Sequence, residues 1–235
     1  MAARRIVVLI DCDNTLLDND AVERDVSGRL TSEFGTEGQE RYWKIFKQLT
    51  DKLGYADYLG ALQQFRLGEA RNTRLLLTAS FLLYYPFAEK LYPGALAAIR
   101  HLRAWGLTVI LSDGDVVYQP RKIQRSGLWE AVEGRVLVYI HKERMLDAVA
   151  ERYPARHYVM IDDKLRVLSA VKKQWGDQVT TIFTRQGHYA LDPDTTAAYP
   201  PPDLTIEGIG DLVGIDLEDL PGIPPFRVLE GSRHS

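Results

Sequence analysis

One cysteine, Cys12, stands in 235 residues. That excludes an internal disulfide and any Cys-x-x-Cys metal site, and it fits a reducing compartment. An excess of either charge is also missing: 29 lysines and arginines face 32 aspartates and glutamates, for a net charge of −3. The basic residues are scattered, so no nucleic-acid partner is expected. Long apolar runs are lacking. Ile6–Ile10 follows two arginines but is five residues long and runs straight into acids, too short for a signal-peptide core. Leu75–Phe87 is too short to cross a bilayer and is broken at Pro86. No membrane partner is expected, and a cytoplasmic location is the default. No GxxxxGK[ST] loop and no GxSxG elbow occurs, and "GIGDLVG" (208–214) has one residue too many for a dinucleotide fingerprint. The five histidines share no ligand spacing.

What is present is a repeated alternation. Short apolar, β-branched runs fall at 5–10, 107–112, 135–140, 157–161 and 179–183, with one more strand-like piece at "DLTIEG". Near-continuous apolar strands suit a parallel sheet buried on both faces. Between them, 93–106, 142–153 and 164–176 carry helical stripes, the first and last ending at glycine. The pattern predicts a doubly wound α/β, Rossmann-like parallel sheet. It is interrupted once. From Asp18 to Leu91 no strand is expected, and four helical patterns are, among them Val22/Val26/Leu30/Phe34 and Tyr42/Ile45/Phe46/Leu49/Leu53. The chain is therefore divided into a core, 1–17 with 92–235, and a helical insertion, 18–91. Its aromatic cluster Tyr84, Tyr85, Phe87 and Tyr92 reads as packing.

In such sheets ligands sit beyond the carboxyl ends of the strands. Those ends carry Asp11, Asp13 and Thr15, then Ser112 and Asp113, then Lys142, then Asp162 and Asp163. A carboxylate attacking a phosphate dianion meets charge repulsion that a divalent cation relieves, and Mg²⁺ takes one or two carboxylates with water and substrate. Asp11 and Asp163 can supply those carboxylates, with a main-chain carbonyl near Asp13. Ser112 and Lys142 offer a hydroxyl and a positive charge to phosphoryl oxygens. Of Asp11 and Asp13, one can attack while the other moves the proton. Each group alone has a plainer reading: Asp11, Asp13, Asp162 or Asp163 as a cap, Ser112 as a turn residue, Asp113 and Asp115 as a solvated turn. Cys12 is expected on the opposite face, buried. His141 is a candidate to line the site, and Arg41, Arg66, Arg71 and Arg74 are candidates to recognise a charged substrate.

"VVLIDCDNTL", "TVILSDGD", Lys142 and "YVMIDDK" together resemble the four motifs of the haloacid dehalogenase-like hydrolase superfamily. "LYPGALAAIRHLRAWG" also reads like that family's helix before its second motif, and 18–91 lies where the family places a helical cap. The resemblance implies Asp11 as nucleophile and Asp13 as acid and base. It implies Ser112, Asp113, Thr15 and Lys142 around a phosphate, and Asp11, Asp13, Asp162 and Asp163 around Mg²⁺. A small phosphorylated molecule is the expected partner. One departure stands out: Arg166 and Val167 occupy the place of a further acid after the fourth motif. Phosphonatase, phosphomutase and dehalogenase activities on the same scaffold are alternatives. A dehalogenase needs neither metal nor a proton donor two residues past its nucleophile, so Asp13 argues against it. A phospho-accepting signalling module would be shorter and uncapped, and a binding protein with a dead site is opposed by the intact Asp11 and Asp13.

Overall fold

A computed structural model describes residues 4–223; the proline-rich stretch 220–226 runs past that limit. Six parallel strands, β1 (Arg4–Ile10), β2 (Leu107–Asp113), β3 (Val136–Tyr139), β4 (Ala155–Asp162), β5 (Val179–Thr184) and β6 (Leu204–Ile206), form one sheet in the order β3-β2-β1-β4-β5-β6. The strand order reverses between β1 and β4, where a doubly wound sheet opens its crevice. All five strands expected from the apolar runs are present, and β6 falls on "DLTIEG".

The period of two in β1 sends alternate side chains to opposite faces. Ile6, Val8 and Ile10 join Ala98, Ile99 and Leu102 of a helix on one side, while Val7 and Leu9 join Leu146, Val149, Leu168 and Val171 on the other. Burial on both faces explains why these strands read as unbroken apolar runs. Each fully buried aliphatic side chain contributes roughly 1.5–3 kcal/mol. Cys12 continues the even-numbered face and is buried, as expected.

The insertion holds three α-helices, α1 (Asn19–Leu53), α2 (Tyr58–Phe65) and α3 (Asn72–Tyr84). The two expected stripes at its start both fall within α1, which breaks at Gly35, where φ is +78°. Asp18 caps its first turn, accepting from Ala21 N at 2.8 Å. Then come α4 (Ala95–Trp105), α5 (Tyr118–Arg125), α6 (Leu128–Ala131), α7 (Leu146–Arg152), α8 (Leu165–Trp175) and a short α9 (Gly187–Leu191). The helix expected from residue 142 starts later. Asp113 Oδ1 accepts the Lys142 N–H at 2.7 Å, which ties Lys142 to the strand end, so 142–144 make only a single 3₁₀ turn. Among the described residues no helix is long and apolar enough to cross a membrane.

Candidate active site

Strand register assembles the site. Ile10 pairs with Ile110 on one side and Ile161 on the other. Asp11 is therefore level with Leu111 and Asp162, with Ser112 and Asp163 one step further on. Asp11 N donates to Ile161 O at 2.9 Å, extending the β1–β4 ladder past the strand end. One carboxylate oxygen from each of Asp11, Asp162 and Asp163 lies within 4.8 Å of the others, and all three residues are buried.

Three carboxylates cannot share such a space without positive charge. Lys142, 1% exposed, donates to Asp11 Oδ1 and lies 2.7 Å from Asp162 Oδ2. Burial pushes the Asp11 carboxyl up to about 7 against the pull of Lys142, and it raises Asp163 strongly. For Lys142, burial favours the neutral amine, but Asp11, Asp162 and Asp113 outweigh it and hold the ammonium charged. Asp162 Oδ1 accepts from Lys164 N at 2.8 Å, so this residue does cap the turn after β4. Asp11 Oδ2 and both oxygens of Asp163 are buried and accept no hydrogen bond among the described residues. Free, buried, oxygen-only donors of this kind fit a hard divalent cation.

Asp13 stands apart from this group. Its oxygens accept from Lys122 Nζ at 2.8 and 2.9 Å, and one of them from Gln119 Nε2 at 3.2 Å. Gln119 also donates to Ser112 Oγ at 2.9 Å. Thr15 is buried with its hydroxyl unpartnered among the described residues, while its carbonyl accepts from Gln186 at 3.2 Å. Asp115 serves α5, accepting from Val117 and Tyr118 N–H groups at 2.8 and 2.7 Å.

A cavity of about 420 Å³ opens over these strand ends. Asp13, Asp113, Gln119, His141 and Lys164 line it, together with Glu23, Phe46 and Tyr58 from the insertion. His141 thus lines the site as anticipated. The four arginines do not. Arg41 stacks on Phe65 with 4.0 Å to the ring centroid, Arg66 donates to Gln63, Arg71 pairs with Glu69, and Arg74 donates to Glu33 O. The apolar stripes of α1–α3 turn inward to pack, which carries these arginines away from the cavity. Of the aromatic cluster, Tyr85, Phe87 and Tyr92 pack, with Tyr85 against Phe87 at 4.9 Å between ring centroids, whereas Tyr84 points outward and is 63% exposed.

Several residues at the site escaped the sequence reading. Lys122 and Gln119 lie three apart on α5, in "YQPRKIQR", where no apolar stripe marks the inner face. Lys164 reaches the cavity with its ammonium 5.0 Å from the centre of the Tyr189 ring. Tyr189 belongs to a segment after β5 that is locked onto the first strand-end loop. There Gly187 adopts φ +74°, and a Cβ would meet Asn14 at 2.5 Å, so only glycine lets the segments approach. A glycine directly followed by aromatic residues at a strand end was the available signal.

The chain belongs to the haloacid dehalogenase-like hydrolase family, whose model matches residues 7–173. A solved structure from Burkholderia xenovorans LB400, assigned to the haloacid dehalogenase-like hydrolases, is 64% identical with a TM-score of 0.86, over 92% of this chain and 98% of that one. A haloacid dehalogenase-like family hydrolase from Xanthomonas campestris is 19% identical, with a TM-score of 0.66 over 91% of each chain. An L-2-haloacid dehalogenase is 17% identical, with a TM-score of 0.62 over 91% of this chain and 99% of its own. These last two share the fold. No curated protein sequence matches the chain.

Proposed function

We propose that this hydrolase is a Mg²⁺-dependent phosphatase that cleaves a small phosphorylated organic molecule through an aspartyl-phosphate on Asp11. The observation that carries the reading is the buried trio Asp11, Asp162 and Asp163 with three carboxylate oxygens free. A second carboxylate, Asp13, two residues past Asp11, lines the cavity at these strand ends. Asp11 and Asp163 would hold the cation directly, the main-chain carbonyl of Asp13 would join them, and Asp162 would support the turn and Lys142. Bound Mg²⁺ supplies charge between the attacking carboxylate and the phosphate dianion.

In the first half-reaction an Asp11 oxygen bonds to phosphorus as the bond to the leaving oxygen breaks, and Asp13 gives that oxygen a proton. In the second, Asp13 takes a proton from water as the water attacks phosphorus, releasing phosphate and restoring Asp11. Lys142, Ser112, the Thr15 hydroxyl and the amides near Asp113 stabilise the charge on the phosphoryl oxygens. Residues 18–91 act as a cap over the core formed by 1–17 and 92–235, and set which leaving group is accepted. The cavity supports this division, since one wall comes from each part. Its volume suits a metabolite-sized ligand.

The test is a panel of phosphate monoesters and 2-haloacids assayed with Mg²⁺ and with chelator. Phosphate release that vanishes in chelator and returns with Mg²⁺ is expected. Halide release that persists in chelator, without phosphate release from any ester, overturns the proposal in favour of a dehalogenase.

A further inference from the structure

Lys122 is an unusual lysine: 1% exposed, in the middle of α5, with all three of its ammonium hydrogens matched to acceptors. Two go to the Asp13 carboxylate at 2.8 and 2.9 Å and the third to Asn19 Oδ1 at 2.8 Å. The rings of Tyr58 and Tyr118 flank it, each centred 5.9 Å from Nζ. Asp13 takes two of these three donors, so the main partner of the Lys122 ammonium is that carboxylate. Lys122 is built to hold Asp13. The hydrogen bonds continue into the insertion: Asn19 Nδ2 donates to Glu23 Oε1 at 3.2 Å and to Tyr58 Oη at 3.3 Å, and Tyr58 Oη donates to Glu23 Oε1 at 2.8 Å. Glu23 lines the cavity.

We infer that Lys122 is a positioning residue for Asp13, fixing the carboxylate that moves the proton in register with the insertion through Asn19, Tyr58 and Glu23. The inference rests on the phosphatase reading above. Asp13 needs such a partner because it lies on a loop rather than in a strand. Its carboxylate takes hydrogen bonds only from Lys122 and Gln119 among the described residues. Without Lys122 it would keep a single amide contact and turn toward solvent. A misplacement of about 1 Å at a reacting group costs on the order of 10²-fold in rate.

The experiment measures kcat and KM for a series of phosphate monoesters of rising leaving-group pKa, from p-nitrophenyl phosphate to alkyl phosphates. Proton donation matters more as the leaving group becomes poorer, so failed positioning of Asp13 steepens this dependence, whereas a merely structural defect lowers all substrates alike. Lys122→Met is expected to lose about 10-fold on the nitrophenyl ester and about 10²-fold or more on alkyl esters, chiefly in kcat. Asn19→Ala removes one of the three acceptors and should show the same trend more weakly. It serves as the test if Lys122→Met fails to fold, which thermal melting reports. Asp13→Asn is run alongside. If Asp13→Asn steepens the dependence and the Lys122 and Asn19 variants do not, the inference is overturned and the phosphatase reading stands. If Asp13→Asn leaves the dependence unchanged, both fall.

Discussion

Sheet and insertion place their side chains by different rules. In the sheet, the hydrogen-bonded register does it: once Ile10 pairs with Ile110 and Ile161, the levels of Asp11, Ser112, Asp162 and Asp163 follow. In the insertion, helix phase and aromatic packing do it. Glu23 follows the buried Val22 on α1, and Tyr58 is held by stacking on Phe46 at 4.7 Å and Tyr118 at 5.2 Å. Register tolerates little displacement, whereas packed helices can shift as a group. On the proposed reading, the sheet holds the reacting groups and the insertion supplies a wall of the cavity.

The sharpest way to break this comparison is at the two carboxylates just past the end of β1. Asp11→Asn should abolish turnover and leave no acid-stable label on the protein. Asp13→Asn should reduce kcat by about 10²–10⁴-fold. With a good leaving group it should also trap phosphate on the peptide carrying Asp11, as read by mass spectrometry after quenching. Normal turnover by either variant would remove the sheet's special standing.

Weaker effects are expected from the insertion. Phe46→Ala should change the KM of the preferred substrate by about 10-fold, while p-nitrophenyl phosphate hydrolysis changes only a few-fold, consistent with the small discriminating power of single pocket contacts. Equal losses on both substrates, in a protein that still melts normally, would show that the insertion belongs to the reacting machinery.

The smallest effect tests whether a charged pair that ties α8 to the loop before β6 matters when it lies away from the cavity. Asp203 accepts from Lys172 Nζ at 2.8 and 2.9 Å and from Thr181 N at 2.8 Å. Partial burial works to raise its carboxyl, but the hydrogen bonds from Lys172 and Thr181 outweigh this and hold it below the usual range. A carboxyl lowered in the folded state contributes stability above its unfolded-state value and loses it as pH falls through the folded one. Asp203→Asn should therefore lower Tm by a few degrees at pH 7, the shift that about 1 kcal/mol produces in a chain of this size. The difference should close as pH falls below about 4, with turnover unchanged; calorimetry at pH 7 and pH 3 decides it.

How much of this was legible beforehand follows the same division. Apolar runs ending in acids, Ser or Lys announce a strand end, so Asp11, Ser112, Lys142, Asp162 and Asp163 could be picked out, and the parallel order made them converge. Lys122 could not. In "YQPRKIQR" a lysine reads as a solvated helix residue, and its partner Asp13 lies 109 positions away. Arg41, Arg66, Arg71 and Arg74 misled for the complementary reason: a long, flexible side chain beside an apolar stripe does not reveal which way it will bend. Helical periodicity locates a face, but it does not say whether that face meets a cavity, another helix or water.

Cys12 lies between the two aspartates, fully enclosed, and burial together with the neighbouring Asp13 and Asp11 charges pushes its thiol up well above the ordinary range. Being the sole sulfhydryl in the chain, it is a reporter already installed at the most interesting loop. A thiol reagent can label it only when that loop opens, so the modification rate counts excursions of the loop one molecule at a time. Substrate or cation that tightens the loop should slow the labelling, giving a chemical clock for ligand occupancy that requires no turnover.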